Sequence, residues 1–272
     1  MDWLHGILNL IGLLFWVLWR AGTLPRPKPS NAITGPTPRP GKIFKHSWIY
    51  LTGLIILLTL RAAFYNQFGP GLDWIPSLEL IYEAPHFRSD FFPRALAYSI
   101  LSFARWLIAF YLCLALLITI TPKESSTGIW RSFLYCQFGR TKKLPMITLW
   151  VAALIITSLL HIVGIEWMTF IGIRVENSQN YYHLPLLIML DFRAATYLTM
   201  GIISLYILNS FIYFGERKFW KNIDEFGKQL LLPIRGVNLV IGKIDLAPFV
   251  VMGFAYGLSY ILRHDQLASW LQ

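Results

Sequence analysis

Six long apolar segments, almost free of charged residues, dominate the chain. A helix that crosses a membrane needs about 20 mostly apolar residues, because each residue adds about 1.5 Å against a hydrocarbon core of roughly 30 Å. Continuous apolar runs of this kind differ from the alternating pattern of a transmembrane β-strand. The segments cover approximately residues 3–19, 47–60, 96–120, 146–165, 185–214 and 246–262. They predict an all-α polytopic membrane protein with about six transmembrane helices.

The composition agrees with this fold class. Charged residues make up only 14% of the chain, against about 25% in an ordinary globular protein, so a soluble surface could not be covered. Aromatic residues reach 16%, which suits a chain that lines two lipid–water interfaces. The same composition excludes intrinsic disorder and a disulfide-rich secreted scaffold.

The distribution of basic residues predicts the orientation. Seventeen of the 24 lysines and arginines lie in the first, third and fifth connecting segments, and five lie in the alternate segments and the C-terminal tail. Cytoplasmic loops carry the excess of basic residues, so both termini are predicted to lie outside the cytoplasm. This alternation requires the short second segment to cross, extending to about Phe64 with Arg61 snorkelling outward.

Three regions follow from this topology. Residues 1–66 are predicted to form an N-terminal transmembrane hairpin, whose first helix is a retained anchor rather than a signal peptide because its charges follow the apolar run. Its connection, residues 24–42, contains six prolines and is predicted to be an extended cytoplasmic linker. A proline-recognising partner is the alternative for this segment.

The rest of the chain contains an internal repeat, with units at residues 94–180 and 181–272. Phe138-Gly139 with Leu144-Pro145 recurs 88 residues later as Phe226-Gly227 with Leu232-Pro233, and Arg105 and Arg193 have the same spacing. Each unit would contain a span, a basic amphipathic segment and a second span. Both units start and end outside, so the duplication is predicted to be parallel.

Charged and polar residues inside the spans are the first candidate site. Arg105, His161 and Asp191 fall at broadly similar depths in the third, fourth and fifth spans, with Arg193 nearby. Because a charge in lipid is costly, these side chains should face one another or a wet cavity, and Arg105 is predicted to pair with Asp191. The alternative is that Asp191 and Arg193 lie at the outer interface while Arg105 snorkels.

The segment before the last span is the second candidate. The residues between Lys228 and Lys243 contain only one charge, Arg235, and are too few to cross, so they should lie in the interface or re-enter. Asp245 can cap the N-terminus of the last span, and Pro248 fits its first turn.

These residues resemble the YggT (YlmG-like) family of small bacterial and plastid membrane proteins. The resemblance covers about residues 94–262 and is carried by Phe226-Gly227, by Pro233-Ile234-Arg235 and by Asp245-Leu246-Ala247-Pro248. The first unit lacks the last two elements. The resemblance implies a duplicated two-span unit, no established enzymatic activity, and a role in membrane organisation. Such roles include cell division and nucleoid distribution, osmotic tolerance and, for plastid relatives, haem attachment to cytochrome b.

The leading functional hypothesis is a non-enzymatic organising, assembly or stress-tolerance factor of the bacterial inner membrane. Its predicted partners are anionic lipid head groups at the cytoplasmic face, membrane proteins and, as an open alternative, further copies of the chain. The amphipathic segment 126–143 is better suited to a lipid surface than to nucleic acid. The competing hypothesis is an ion channel or transporter that uses the Arg105, His161 and Asp191 cluster. No catalytic residue, metal site or cofactor is predicted, since no catalytic fingerprint occurs and His161 is the only histidine deep in a span.

Overall fold

The computed structural model of the chain describes residues 2–23, 47–72, 91–120, 137, 146–171, 184–212, 217–234, 236–237, 239–241 and 244–262. Within them are seven α-helices. They are α1 (Asp2–Thr23), α2 (Ser47–Phe68), α3 (Phe92–Ile120), α4 (Met146–Phe170), α5 (Leu184–Phe211), α6 (Lys218–Leu230) and α7 (Ala247–Ile261). The predicted linker 24–42 and the motif residues 138, 139, 144, 145 and 235 lie outside the described part.

Five of these helices are long and apolar enough to cross a membrane, namely α1 to α5. The predicted sixth segment forms α7, an apolar helix of 15 residues. At 1.5 Å per residue α7 is about 22 Å long, shorter than the roughly 30 Å of a hydrocarbon core. The prediction of an all-α polytopic membrane protein is confirmed, with five full-length spans and one shorter apolar helix.

Helix α3 lies at the centre of the bundle. It packs against α1, α2, α4, α5 and α6, and α1 packs along α2. Near one end of the bundle, the start of α3 contributes Ala95 and Leu101 to a buried cluster with Ala62 of α2 and Ile165 of α4. Near the other end, Leu117 and the end of α3 contact Ile202 of α5 and Phe226 of α6 in a second cluster. These two clusters place the core along the whole length of α3.

The contacts also fix the relative directions of the helices. The end of α2 and the end of α4 both meet the start of α3, so α2 and α4 run antiparallel to α3. The start of α1 meets the end of α2 through His5 and Tyr65. Helix α5 runs parallel to α3, since Asp191 near its start meets Arg105 and Ile202 further along meets Leu117. Successive helices from α1 to α5 therefore alternate in direction, as a chain that crosses five times must.

The described residues between α6 and α7 form no span. A 3₁₀ turn covers Leu232–Ile234, and the short strands β1 (Val240–Ile241) and β2 (Ile244–Asp245) pair antiparallel. This ladder is the one departure from helix among the described elements. Strand β2 ends directly before α7, so this stretch turns back without crossing, as predicted from its short length.

Candidate functional site

Three side chains from three helices meet inside the bundle. Asp191 of α5 accepts a hydrogen bond from Arg105 Nε of α3 at 3.3 Å, through Oδ1. Its Oδ2 lies 3.0 Å from His161 Nε2 of α4. An ionised carboxylate can only accept, so in that state Nε2 of His161 is the donor of this hydrogen bond. The pairing of Arg105 with Asp191 that the sequence predicts is present in the structure.

Two of the three side chains of the cluster are buried. Asp191 is 4% exposed and His161 is 1% exposed, while Arg105 is partly buried. Burial makes each of these groups depend on its partners, because an ionised side chain without a partner in a low-dielectric interior is very unfavourable. The arrangement joins α3, α4 and α5 through one carboxylate, so its minimum chemical role is to hold these helices together.

The structure does not bring Arg193 into this cluster. Its guanidinium lies over the ring of Tyr197, with the central carbon 5.2 Å from the ring centroid. Two residues along an α-helix correspond to about 200° of rotation, so Arg193 leaves the helix on the side away from Asp191. The 88-residue offset between Arg105 and Arg193 therefore does not correspond to equivalent contacts.

The motif residues of the second unit have identifiable structural roles. Phe226 is buried against α3 and α5, and Gly227 lies so close to α5 that a Cβ atom there would fall within 3 Å of Tyr206 side-chain atoms. Asp245 Oδ1 accepts a hydrogen bond from the backbone N–H of Ala247 at 2.9 Å, and Pro248 is buried in the first turn of α7. The N-cap position itself is Leu246, so Asp245 stabilises the helix start from one residue earlier. Pro233 is exposed in the 3₁₀ turn.

Sequence analysis missed a second polar network, which surrounds Arg61. The expectation that Arg61 snorkels outward is wrong, because its side chain is buried, with the residue only 2% exposed. Its Nη1 donates to Asn9 Oδ1 at 2.6 Å, its Nε donates to Ser99 Oγ at 2.9 Å, and its Nη2 donates to the carbonyl oxygen of Ser99. Acceptors on α1 and α3 thus replace water for the guanidinium, which removes the need to reach the interface.

The network continues towards the start of α1. Asn9 Nδ2 donates to Ser102 Oγ at 3.4 Å and lies 3.1 Å from His5 Nε2, and His5 Nδ1 lies 3.1 Å from the Tyr65 hydroxyl. The signal for this network was present in the sequence as Asn9, Ser99 and Ser102 within apolar segments. What the sequence could not supply is the register that brings α1, α2 and α3 together at one depth.

Among the described residues, no three histidine, cysteine, aspartate or glutamate side chains lie close enough to hold a metal ion. His161 and Asp191 form a pair only, and their ligand atoms already face each other.

The protein is an integral membrane protein of the all-α class, as its five long apolar helices and interior polar clusters define. Compared with protein-family models, curated proteins and solved structures, the chain has no match. The resemblance to the YggT family, the repeat and the bacterial inner membrane location stay predictions.

Proposed function

We propose that the protein is a non-enzymatic membrane factor that organises or assembles other membrane components, acting through anionic lipid head groups and protein partners. The observation that carries this proposal is the placement of α6. This helix is apolar on one side and charged on the other, and it lies against the bundle instead of forming a span.

Helix α6 is fixed by its apolar side. Ile223 and Phe226 are buried, and Gly227 allows the helix backbone to approach α5 closely. The opposite side carries Lys221 and Lys228, which are seven residues apart and both exposed. A helix of this kind at the end of a membrane bundle lies in the interface, where each lysine near an anionic surface contributes about 1 kcal/mol.

The YggT resemblance supports the same role, because that family has no established enzymatic activity and is implicated in membrane organisation. The positive-inside pattern supports a cytoplasmic location for α6, where anionic lipids would meet Lys221 and Lys228. The proposed location is the bacterial inner membrane.

The test is the retention of anionic lipid by the purified full-length protein. Replacing Lys221 and Lys228 together by Glu should reduce co-purifying phosphatidylglycerol at least about thirtyfold, since two contacts of about 1 kcal/mol each are lost and become repulsive. Arg94→Glu is the control, because Arg94 lies at the start of α3, at the other end of the bundle. Equal lipid retention and unchanged cross-linked partners in the lysine variant would remove the basis of the proposal.

A second candidate function is an ion channel or transporter. The observation that favours it is the Arg105, His161 and Asp191 cluster, because ionisable groups inside spans often mark ion or proton pathways. It is the weaker candidate, because both carboxylate oxygens of Asp191 already have partners and the group is buried.

Ion flux in liposomes that contain the purified protein separates the two functions. We expect no flux above protein-free vesicles for the wild-type protein. Flux that Asp191→Asn or Arg105→Gln abolishes would make the cluster a conduction site and would replace the leading proposal.

A further inference from the structure

A cavity of about 390 Å³ lies between the end of α1, the second half of α3 and the first half of α4, where Gln137 also contributes. Its walls are mostly apolar, with Leu107 and Leu112 from α3 and Ile156 from α4. Its polar lining side chains are Arg20, Tyr111, Gln137 and Thr157, of which only Arg20 carries a charge. A volume of this size with a few convergent polar groups is typical of small-molecule and lipid sites.

Gln137 is the most unusual residue of this cavity. It is 1% exposed, and both its amide atoms, Nε2 and Oε1, are buried without a hydrogen-bond partner. Buried side-chain amides in proteins nearly always have partners, since leaving one unsatisfied costs about 1–3 kcal/mol. Both amide atoms are covered by neighbouring atoms, so a ligand in the cavity can satisfy them only when the Gln137 side chain turns towards it.

Arg20 adds a cation beside this amide. Arg20 lies in the last turn of α1, and its Nη2 donates to the carbonyl oxygen of Gln137 at 2.9 Å. Its Nε is buried and has no hydrogen-bond partner. The guanidinium is thus held in place through Nη2, its covered Nε still lacks an acceptor, and its positive charge lies in the cavity wall.

The packing of α1 against α3 beside the cavity is stabilised by a hydrogen bond that does not involve Arg20 or Gln137. Trp16 Nε1 of α1 donates to the hydroxyl of Tyr111 of α3 at 3.0 Å, and Tyr111 lines the cavity. This hydrogen bond keeps the end of α1 beside α3 independently of any ligand. Variants of Arg20 or Gln137 should therefore leave the helix packing intact.

The three unsatisfied atoms define the ligand's polar end. Arg20 Nε and Gln137 Nε2 require acceptors, and the positive charge favours an anion, so a phosphodiester fits both. Gln137 Oε1 requires a donor, which a hydroxyl on the same head group supplies. A choline head group offers no such donor and carries its own positive charge.

The apolar walls define the other end. Leu107 and Leu112 lie 13 and 8 residues before the end of α3, or about 20 and 12 Å from it, a depth that acyl chains occupy. Ile156 lies on the cavity wall and is 58% exposed on the outside of α4, so the cavity borders the lipid-facing surface. We propose that this cavity binds one anionic phospholipid with a hydroxyl-bearing head group, with its phosphodiester at Arg20 and Gln137 and an acyl chain along α3.

This inference deepens the proposed function, because it assigns a specific lipid site in addition to the basic face of α6. The probe is phosphatidylglycerol, compared with phosphatidylcholine of the same chains, added to full-length protein in detergent and measured by native mass spectrometry. We expect one phosphatidylglycerol per chain to be retained, about tenfold more tightly than phosphatidylcholine.

The variants Arg20→Gln and Gln137→Leu should each abolish this preference, and Ala153→Phe should block binding of both lipids by filling the apolar wall. Arg94→Gln is the matched control, because Arg94 also has a buried Nε without a hydrogen-bond partner but lies far from the cavity. Elution as a single peak and an unchanged unfolding midpoint show that each variant is folded.

No retained lipid in the wild-type protein, or equal retention in Arg20→Gln, Gln137→Leu and the control, would overturn the inference. Loss of the α6 lysines tests the proposed function separately. If their loss reduces bulk anionic lipid while the Arg20 and Gln137 variants change nothing, the proposed function stands and the specific site does not.

Discussion

At the scale of the residue, the buried guanidinium of Arg61 requires hydrogen-bond acceptors from its surroundings. It lies within α2, and its three donor nitrogens are each met by oxygens of Asn9 or Ser99. A charged side chain is costly inside a membrane unless its hydrogen-bonding groups are satisfied. The hairpin of α1 and α2 is therefore held against α3 by hydrogen bonds as well as by apolar contact.

Arg61→Ala should destabilise the protein by roughly 2 kcal/mol or more, because it leaves buried acceptors on Asn9 and Ser99 without donors. Arg61→Lys should recover only part of this loss, since an ammonium cannot reproduce the planar guanidinium contacts. The measurement is unfolding by SDS titration in mixed micelles. Gln67→Ala, at an exposed position of the same helix, is the control and should have a small effect. An Arg61→Ala variant as stable as the control would contradict the structure here.

The Arg105, His161 and Asp191 cluster is tested by a double-mutant cycle. Asp191→Asn should cost about 3 kcal/mol, since it leaves buried donors facing a neutral amide. After Arg105→Gln, the same change should cost at least about 1 kcal/mol less, because the pair is then already broken. Arg193→Gln, whose guanidinium lies over Tyr197, should not be coupled to Asp191. Additive effects of Arg105→Gln and Asp191→Asn would show that their contact contributes no energy.

At the scale of the element, periodicity and charge predict the helices but not their mutual register. The apolar segments predicted α1 to α5 to within a few residues, because apolar length is itself the requirement for crossing. The Arg105–Asp191 pair was predictable because so few charges lie in spans. The prediction that Arg61 snorkels outward was wrong because its partners, Asn9 and Ser99, are uncharged and therefore could not be recognised in the sequence. The Arg20 and Gln137 cavity depends on three helices meeting, which no single segment encodes.

Gly227 tests how α6 is attached to the bundle. A Cβ atom at this position would lie 2.4 Å from Tyr206 Cδ2, so Gly227→Ala should force α6 away from α5. We expect a spin label on α6 to gain mobility. Gly253→Ala in α7 is the matched control, because no atom lies within 4 Å of the added carbon and alanine favours a helix. Similar behaviour of the two variants would mean that α6 is not held at Gly227.

At the scale of the whole molecule, the alternating helix directions and the distribution of basic residues together predict which end of the bundle faces the cytoplasm. The contacts show that α1 to α5 alternate in direction, so the start of α1, the end of α2 and the start of α3 lie at one end. Lys221 and Lys228 of α6 lie at the opposite end, beside the end of α3. Both the proposed function and the proposed lipid site require this second end to face the cytoplasm.

The orientation can be measured with single cysteines in a background where Cys113 and Cys136 are replaced by serine. A cysteine at Gln67, exposed at the end of α2, should react with a membrane-impermeant maleimide added to spheroplasts, whose inner membrane is still sealed. A cysteine at Lys221, exposed on α6, should react only after the membrane is opened. The seventeen basic residues in the three connections predicted to be cytoplasmic are the reason for this expectation. The reverse labelling pattern would place α6 and the Arg20 and Gln137 cavity outside, and would remove the anionic cytoplasmic surface on which the proposed function depends.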